Sequence, residues 1–259
     1  MFSNLPVSLP MLLFVCLMVG VGGFVDASAG GGGLITLPVY MLTGLPVHNL
    51  YAANKFSSSC GTTFATAMFF RKGAVDLKVA LVAAACSFLG SGLAARLVLL
   101  LPDAVLKTLI LVVLPLAAVV IFTQRKLPEE NHSGEIKTSR KLLLAALIGF
   151  LIGGYDALIG PGTGTFAILA FTAILKFDVR TASGNAKLLN LASNYASLAT
   201  FIMAGNVPFA LAIPCGICNI CGALLGSHFA LSKGAKFIRP MMLIVMVLLL
   251  IKLAADLIL

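Results

Sequence analysis

Two stretches of this chain set an acid beside a run of glycines inside apolar sequence. Asp26 and Ser28 precede four consecutive glycines, Gly30, Gly31, Gly32 and Gly33, in "DASAGGGGLITLP". Asp156 precedes Gly162, Thr163 and Gly164 in "DALIGPGTGTF". Each glycine run leads into an apolar helix, near Leu34 and near Thr165. A helix N-terminus carries partial positive charge and free N–H donors, which suit an anion. Two further segments add cations. Lys55, Ser58, Ser59, Thr62 and Thr66 share one helical face, and Lys187, Asn190, Asn194 and Ser197 repeat the pattern. An ammonium with hydroxyl and amide donors around it is the chemistry of a small-anion site. Asp26 and Asp156 would either carry a coupling proton or form structural ion pairs with these lysines. Blander alternatives stand beside these: glycines also permit close helix packing, and lysines near helix ends also snorkel. A nucleotide loop is excluded, because neither glycine run continues into Gly-Lys-Ser/Thr.

The elements that must position these groups are transmembrane helices. Hydrophobic residues make up 60% of 259 positions, charged residues 10%, and mean hydropathy is +1.07. Apolar runs of about twenty residues, the length that crosses a hydrocarbon core as helix, recur along the chain. The chain therefore reads as an all-α, polytopic integral membrane protein with the lipid bilayer as its solvent. Its net charge of +9 lies mainly in short connections, so topology signalling accounts for it and nucleic-acid binding is not expected. No Lys or Arg occurs between Met1 and Val25, so the first apolar run reads as retained, not cleaved as a signal peptide. One hydrophilic stretch, residues 124–141, reads as a cytoplasmic linker between membrane repeats at 1–123 and 142–259.

The halves resemble each other. At an offset of 132, Lys55 meets Lys187, Gly73 meets Gly205, Val75 meets Val207 and Gly90 meets Gly222. A two-residue slip in the glycine segments brings Asp26 opposite Asp156. Charge decides how the halves lie. If residues 6–43 and 141–176 each crossed once, loop cations would divide 9 to 7, with no bias. If each is a hairpin that returns to its starting side, 13 share one face: Arg71, Lys72, Lys78, Arg125, Lys126, Lys137, Arg140, Lys141, Lys176, Arg180, Lys233, Lys236 and Arg239. Only Arg96, Lys107 and Lys252 oppose them. Lysine and arginine collect on the cytoplasmic side, so the hairpin arrangement is preferred. A single helix of 38 residues would also extend about 57 Å, far beyond a bilayer core. Each half then holds a re-entrant hairpin plus three crossings, an odd number, which makes the repeats inverted and puts both termini outside the cytoplasm. The second hairpin arms are too short to span and stop at mid-depth. Paired half-helices of this kind form substrate sites in transporters.

Six cysteines lie in apolar segments and suggest no disulfide framework. "CGICNIC", with Cys215, Cys218 and Cys221, has Cys-x-x-Cys spacing but no obvious fourth ligand beyond His228, so packing is the preferred reading.

The segments "GFVDASAGGGGLITLP", "AANK", "NAKLLN" and "LSKGAKFIRPMM" resemble the sulfite exporter TauE/SafE family, and the similarity extends over nearly the whole chain. The resemblance implies a bacterial inner-membrane permease associated with small sulfur-containing or organic anions. It places Gly30 to Gly33, Asn54, Lys55, Asn185, Lys187 and Asn190 at the family's motif positions. The cysteine cluster is not part of that pattern. The combined expectation is a secondary transporter of a small anion, sulfite, a sulfonate or a carboxylate, with no catalysis, cofactor or metal. Its other partner, left open, is a second copy of the chain. An anion channel is the alternative within transport, and a membrane redox or metal protein using Cys215, Cys218 and Cys221 the alternative outside it. The topology is directly testable: a C-terminal reporter active only in the cytoplasm should be silent, and strong activity would sink the inverted-hairpin arrangement.

Overall fold

A computed structural model describes residues 7–106, 108–109, 128–234, 236–238 and 240–241. Among them the regular structure is helical throughout. Four helices are described in the first half: α1 (Leu9–Ala29), α2 (Gly33–Met41), α3 (Val47–Arg71) and α4 (Leu77–Leu100). A 3-10 turn at Ser133–Glu135 precedes the second set: α5 (Thr138–Leu158), α6 (Thr163–Ala173), α7 (Val179–Met203) and α8 (Phe209–Lys233). Helices α1, α4, α5 and α8 are long and apolar enough to cross a membrane. The expected crossings at 103–123 and 238–259 fall largely outside the described residues, as does the start of the linker.

The helix boundaries repeat with the sequence. Both α3 and α7 hold 25 residues and begin 132 positions apart, and α4 and α8 also begin 132 positions apart. Their ends follow the same punctuation, Gly73 and Gly205 adopting left-handed φ of +62° and +72°. The glycine segments break the chain into long and short arms. Helix α1 ends where Gly30 turns left-handed (φ +81°) and donates its N–H to Asp26 O at 2.7 Å. Helix α2 then runs for 9 residues and α6 for 11, about 14 and 17 Å at 1.5 Å per residue, roughly half a hydrocarbon core.

Packing pairs the halves crosswise. Helix α5 lies along α4 in parallel, Gly149 against Ala83 and Gly153 against Ser87. Helix α1 lies along α8 in the same way, Gly23 against Asn219 and Gly226 against Phe24. Under the 130- and 132-residue offsets, the contact of Gly153 with Ser87 and that of Gly23 with Asn219 are one contact made twice. Helices α3 and α7 occupy the centre, and over half the residues of each are buried. They run antiparallel: Gly184 packs on Ala74 near one end, while Thr62 and Thr63 meet Asn194 and Tyr195 further along. Those partners are each other's equivalents in the repeat.

The linker is docked, where the sequence suggested only an exposed tether. Val179 donates its N–H to Pro128 O, and His132 donates its N–H to Lys176 O. Lys176 holds a left-handed backbone (φ +57°) where the first half has Gly44, and its ammonium bonds Glu135 at 2.7 Å. That bond holds the exposed Glu135 carboxyl below the usual carboxylate range.

Close helix contact is what the glycines at these seams permit. A Cβ on Gly149 would stand 2.1 Å from the Ala83 carbonyl oxygen, with backbone on both sides and nothing soft to yield. Gly149→Val should therefore cost about 2 kcal/mol or more, the scale of core overpacking. A detergent melting curve unchanged from wild type would refute that α4–α5 contact.

Candidate functional site

The two glycine-rich tips meet inside the bundle. A Cβ on Gly30 would lie 2.2 Å from the Gly164 carbonyl carbon, so the two backbones touch. Thr165 donates its N–H to Gly30 O at 3.3 Å and its hydroxyl to Ala29 O at 2.8 Å. These bonds answer the cost of irregular backbone inside an apolar bundle, where unpaired polar groups are tolerated only if protein or water satisfies them. Tyr51 on α3 adds another, donating its hydroxyl to Leu158 O at 3.1 Å.

Around the tips, each lysine reaches the aspartate of the opposite half. Lys55 Nζ lies 2.6 Å from Asp156 Oδ2, with side-chain exposures of 2% and 5%. Lys187 Nζ donates to the backbone oxygen of Asp26 and stands 3.6 Å from Asp26 Oδ2, with exposures of 1% and 24%. Asp26 and Asp156 both occupy the last turns of their helices, α1 and α5, where the macrodipole is negative and a cation is favoured.

The Asp156 pair is densely bonded. Thr163 donates its hydroxyl to Asp156 Oδ1 at 2.9 Å, and Ser193 donates to Oδ2. Lys55 also donates to Asn194 Oδ1 at 3.2 Å, and Asn194 Nδ2 donates to Asn190 Oδ1 at 2.6 Å and to Thr62 Oγ1 at 3.5 Å. Asn190 lies one helical turn beyond Lys187, so a polar stripe along α7 runs from one ion pair to the other. Asp26 has fewer partners: Gly32 donates its N–H to Oδ1 at 3.3 Å.

Other candidates are placed elsewhere. Ser28 is buried but bonds back to Phe24 O and Val25 O of its own helix. Ser58 is half-buried. Asn54 accepts the Thr36 hydroxyl at 2.6 Å, joining α3 to α2. Asn185 accepts the Asp76 N–H at 2.9 Å at the α3–α4 turn, away from the tips, while its own Nδ2 is buried without a hydrogen-bond partner. Gly162, left-handed at φ +81°, begins α6, while Gly31 and Gly33 line the start of α2. Ser193 is the residue that the sequence did not single out. It stands three positions after Asn190 on the same face, but the repeat puts Gly61 opposite it, so duplication gave no signal.

The chain matches the profile of the sulfite exporter TauE/SafE family over residues 14–253. The chain belongs to that family. Among TauE/SafE relatives it is 35% identical to a Sinorhizobium protein described as "Probable membrane transporter protein ORF9", over 95% of this chain and 93% of that one. It is equally 35% identical to "Probable membrane transporter protein YfcA" of Escherichia coli strain K12, over 99% of this chain and 93% of that one. "Probable membrane transporter protein YdhB" of Bacillus subtilis strain 168 is 22% identical, over 89% and 96%. No solved structure gives a match.

Cys215, Cys218 and Cys221 of this TauE/SafE chain differ in exposure. Cys215 is buried, Cys218 half-buried and Cys221 exposed, and His228 is exposed as well. Among the described residues no three His, Cys, Asp or Glu side chains form a metal-sized cluster. Cys215 instead touches Cys16 of α1, the sulfurs 3.7 Å apart.

The buried Lys55–Asp156 pair makes a direct stability prediction. Removing one partner strands the other charge, at a cost of about 3–5 kcal/mol. Asp156→Asn keeps the side-chain shape and should lower the melting temperature sharply; an unchanged melt would mean that Lys55 does not depend on this carboxylate.

Proposed function

We propose that the chain is a secondary transporter of a small anion, such as sulfite, a sulfonate or a carboxylate, working by alternating access in the bacterial inner membrane. The observation that carries this reading is the pair of buried ammonium groups, Lys55 and Lys187, held where two broken hairpins touch. A permanently apolar interior has no use for two such charges, and intramembrane ionisable groups mark transport pathways. Membership of the TauE/SafE family and relatives described as probable membrane transporters support the transport class.

Alternating access needs two halves that can exchange roles. Antiparallel α3 and α7 meet at repeat-equivalent residues, Thr62 with Asn194 and Thr63 with Tyr195, which supports a two-fold axis in the membrane plane and thus inverted repeats. On this reading residues 1–123 and 142–259 are the rocking units, joined by a cytoplasmic linker at 124–141, with both termini on the other side. The proton gradient or the membrane potential supplies the drive.

Purified protein in proteoliposomes should take up radiolabelled sulfite, a sulfonate or a small carboxylate with saturation and with acceleration by anion on the opposite side. Uptake linear in concentration, without that acceleration, would indicate a channel instead. Lys55→Ala combined with Lys187→Ala, in protein that still elutes as a single species, should abolish uptake. Transport unchanged in that variant would refute the site.

A further inference from the structure

The two ion pairs are duplicates by sequence, yet they are built differently. Both Asp156 oxygens are bonded, by Thr163, Ser193 and Lys55, and the side chain is sealed. The repeat deletes those hydroxyls from the Asp26 end. Gly61 stands where Ser193 would be, and a glycine, Gly31 or Gly33, stands opposite Thr163 at either offset. A side chain at Gly61 would require the Asn219 amide to move, because its oxygen would lie 1.9 Å from a Cβ there. Asp26 is left with Lys187 at 3.6 Å, one backbone N–H from Gly32, and a side chain 24% exposed.

We infer that the Asp26 carboxylate is a tethered stand-in for the transported anion, occupying an oxyanion site formed by Lys187 Nζ and the N-terminus of α2, and that a small oxyanion enters by displacing it. Three features fit this assignment. Lys187 is bound to α1 chiefly through the backbone oxygen of Asp26, a contact that survives when the side chain swings away. The Gly32 N–H that now meets Oδ1 opens α2, so the vacated position offers an ammonium and a helix N-terminus together. The exchange of one carboxylate for one anion keeps the buried ammonium compensated, while the displaced Asp26 carboxylate, already 24% exposed, turns to that open side. Lys55 with Asp156 is the fixed clamp that holds the second hairpin during the exchange. This assignment rests on the anion-transport reading above and locates its binding step at one of the two lysines.

Two measurements test it without requiring transport. In nanodiscs, dicyclohexylcarbodiimide followed by peptide mass spectrometry should modify Asp26 several-fold more than Asp156, and added sulfite should raise the Asp26 labelling by releasing the side chain. Equal labelling of the two aspartates, or labelling of Asp156 alone, would overturn the assignment. In a second experiment, formate should raise the melting temperature of Asp26→Ala in a concentration-dependent way, relative to sodium chloride of equal ionic strength, as a ligand of the folded state does. Wild type, where formate must first displace Asp26, should respond more weakly, and Asp156→Ala no more than wild type. Formate that stabilises both alanine variants alike, or neither, would refute the site. If Asp26→Ala does not fold, the labelling ratio in the wild-type protein decides alone. Absence of anion uptake would remove the transport reading while leaving the labelling ratio and the formate response intact, so the two failures are read separately.

Discussion

Two ammonium groups buried in an apolar bundle set the terms for everything around them. Desolvating a lysine costs several kcal/mol, which only a close counter-charge and further polar contacts offset. Here each counter-charge comes from the opposite half: Asp156 for Lys55 and Asp26 for Lys187. Crossed pairing ties the end of each long hairpin arm to the central helix of the other repeat. Neither half could satisfy its own lysine in this arrangement, so the halves have to associate through their hairpin tips.

The tips carry a second constraint, the backbone polar groups exposed where a helix breaks inside the bundle. They are met largely by the partner tip: Thr165 bonds Gly30 and Ala29, and the backbones of Gly30 and Gly164 touch. Glycine therefore serves two purposes in these segments. At Gly30 it provides a left-handed turn and a close approach. At Gly32 it presents an N–H to a carboxylate. The structure thus divides a run of four glycines into packing positions and donor positions.

Much of this was legible beforehand. The offset of 132 matches the helix starts of α3 with α7 and of α4 with α8, and the slip of two aligns Asp26 with Asp156. The stripes of Lys55, Ser59, Thr62 and Thr66 and of Lys187, Asn190, Asn194 and Ser197 are buried, because polar side chains on a membrane helix gain partners only inside the protein. Other candidates lie apart from the ion pairs. Ser58 is only half-buried, Ser28 satisfies itself on its own helix, and Asn185 caps a turn. Ser193 escaped notice because the repeat replaces it with Gly61. Internal duplication reveals what the halves share and conceals what distinguishes them.

By itself the sequence determined the helical class, the apolar lengths, the repeat and the residue types that would be buried and charged. These follow from local pattern: hydropathy over twenty residues, helical spacing and self-similarity, none of which needs a partner in space. Tertiary structure decided which lysine meets which aspartate, that the tips touch, that the linker folds back onto Lys176, and that one ion pair is sealed while the other stays partly open. Those outcomes depend on contacts between residues far apart in the chain, 41 positions for Glu135 with Lys176, 101 for Lys55 with Asp156 and 161 for Asp26 with Lys187. No local pattern distinguishes a crossed pairing from one within each half; only the antiparallel passage of α3 beside α7 makes the crossed one the pairing within reach.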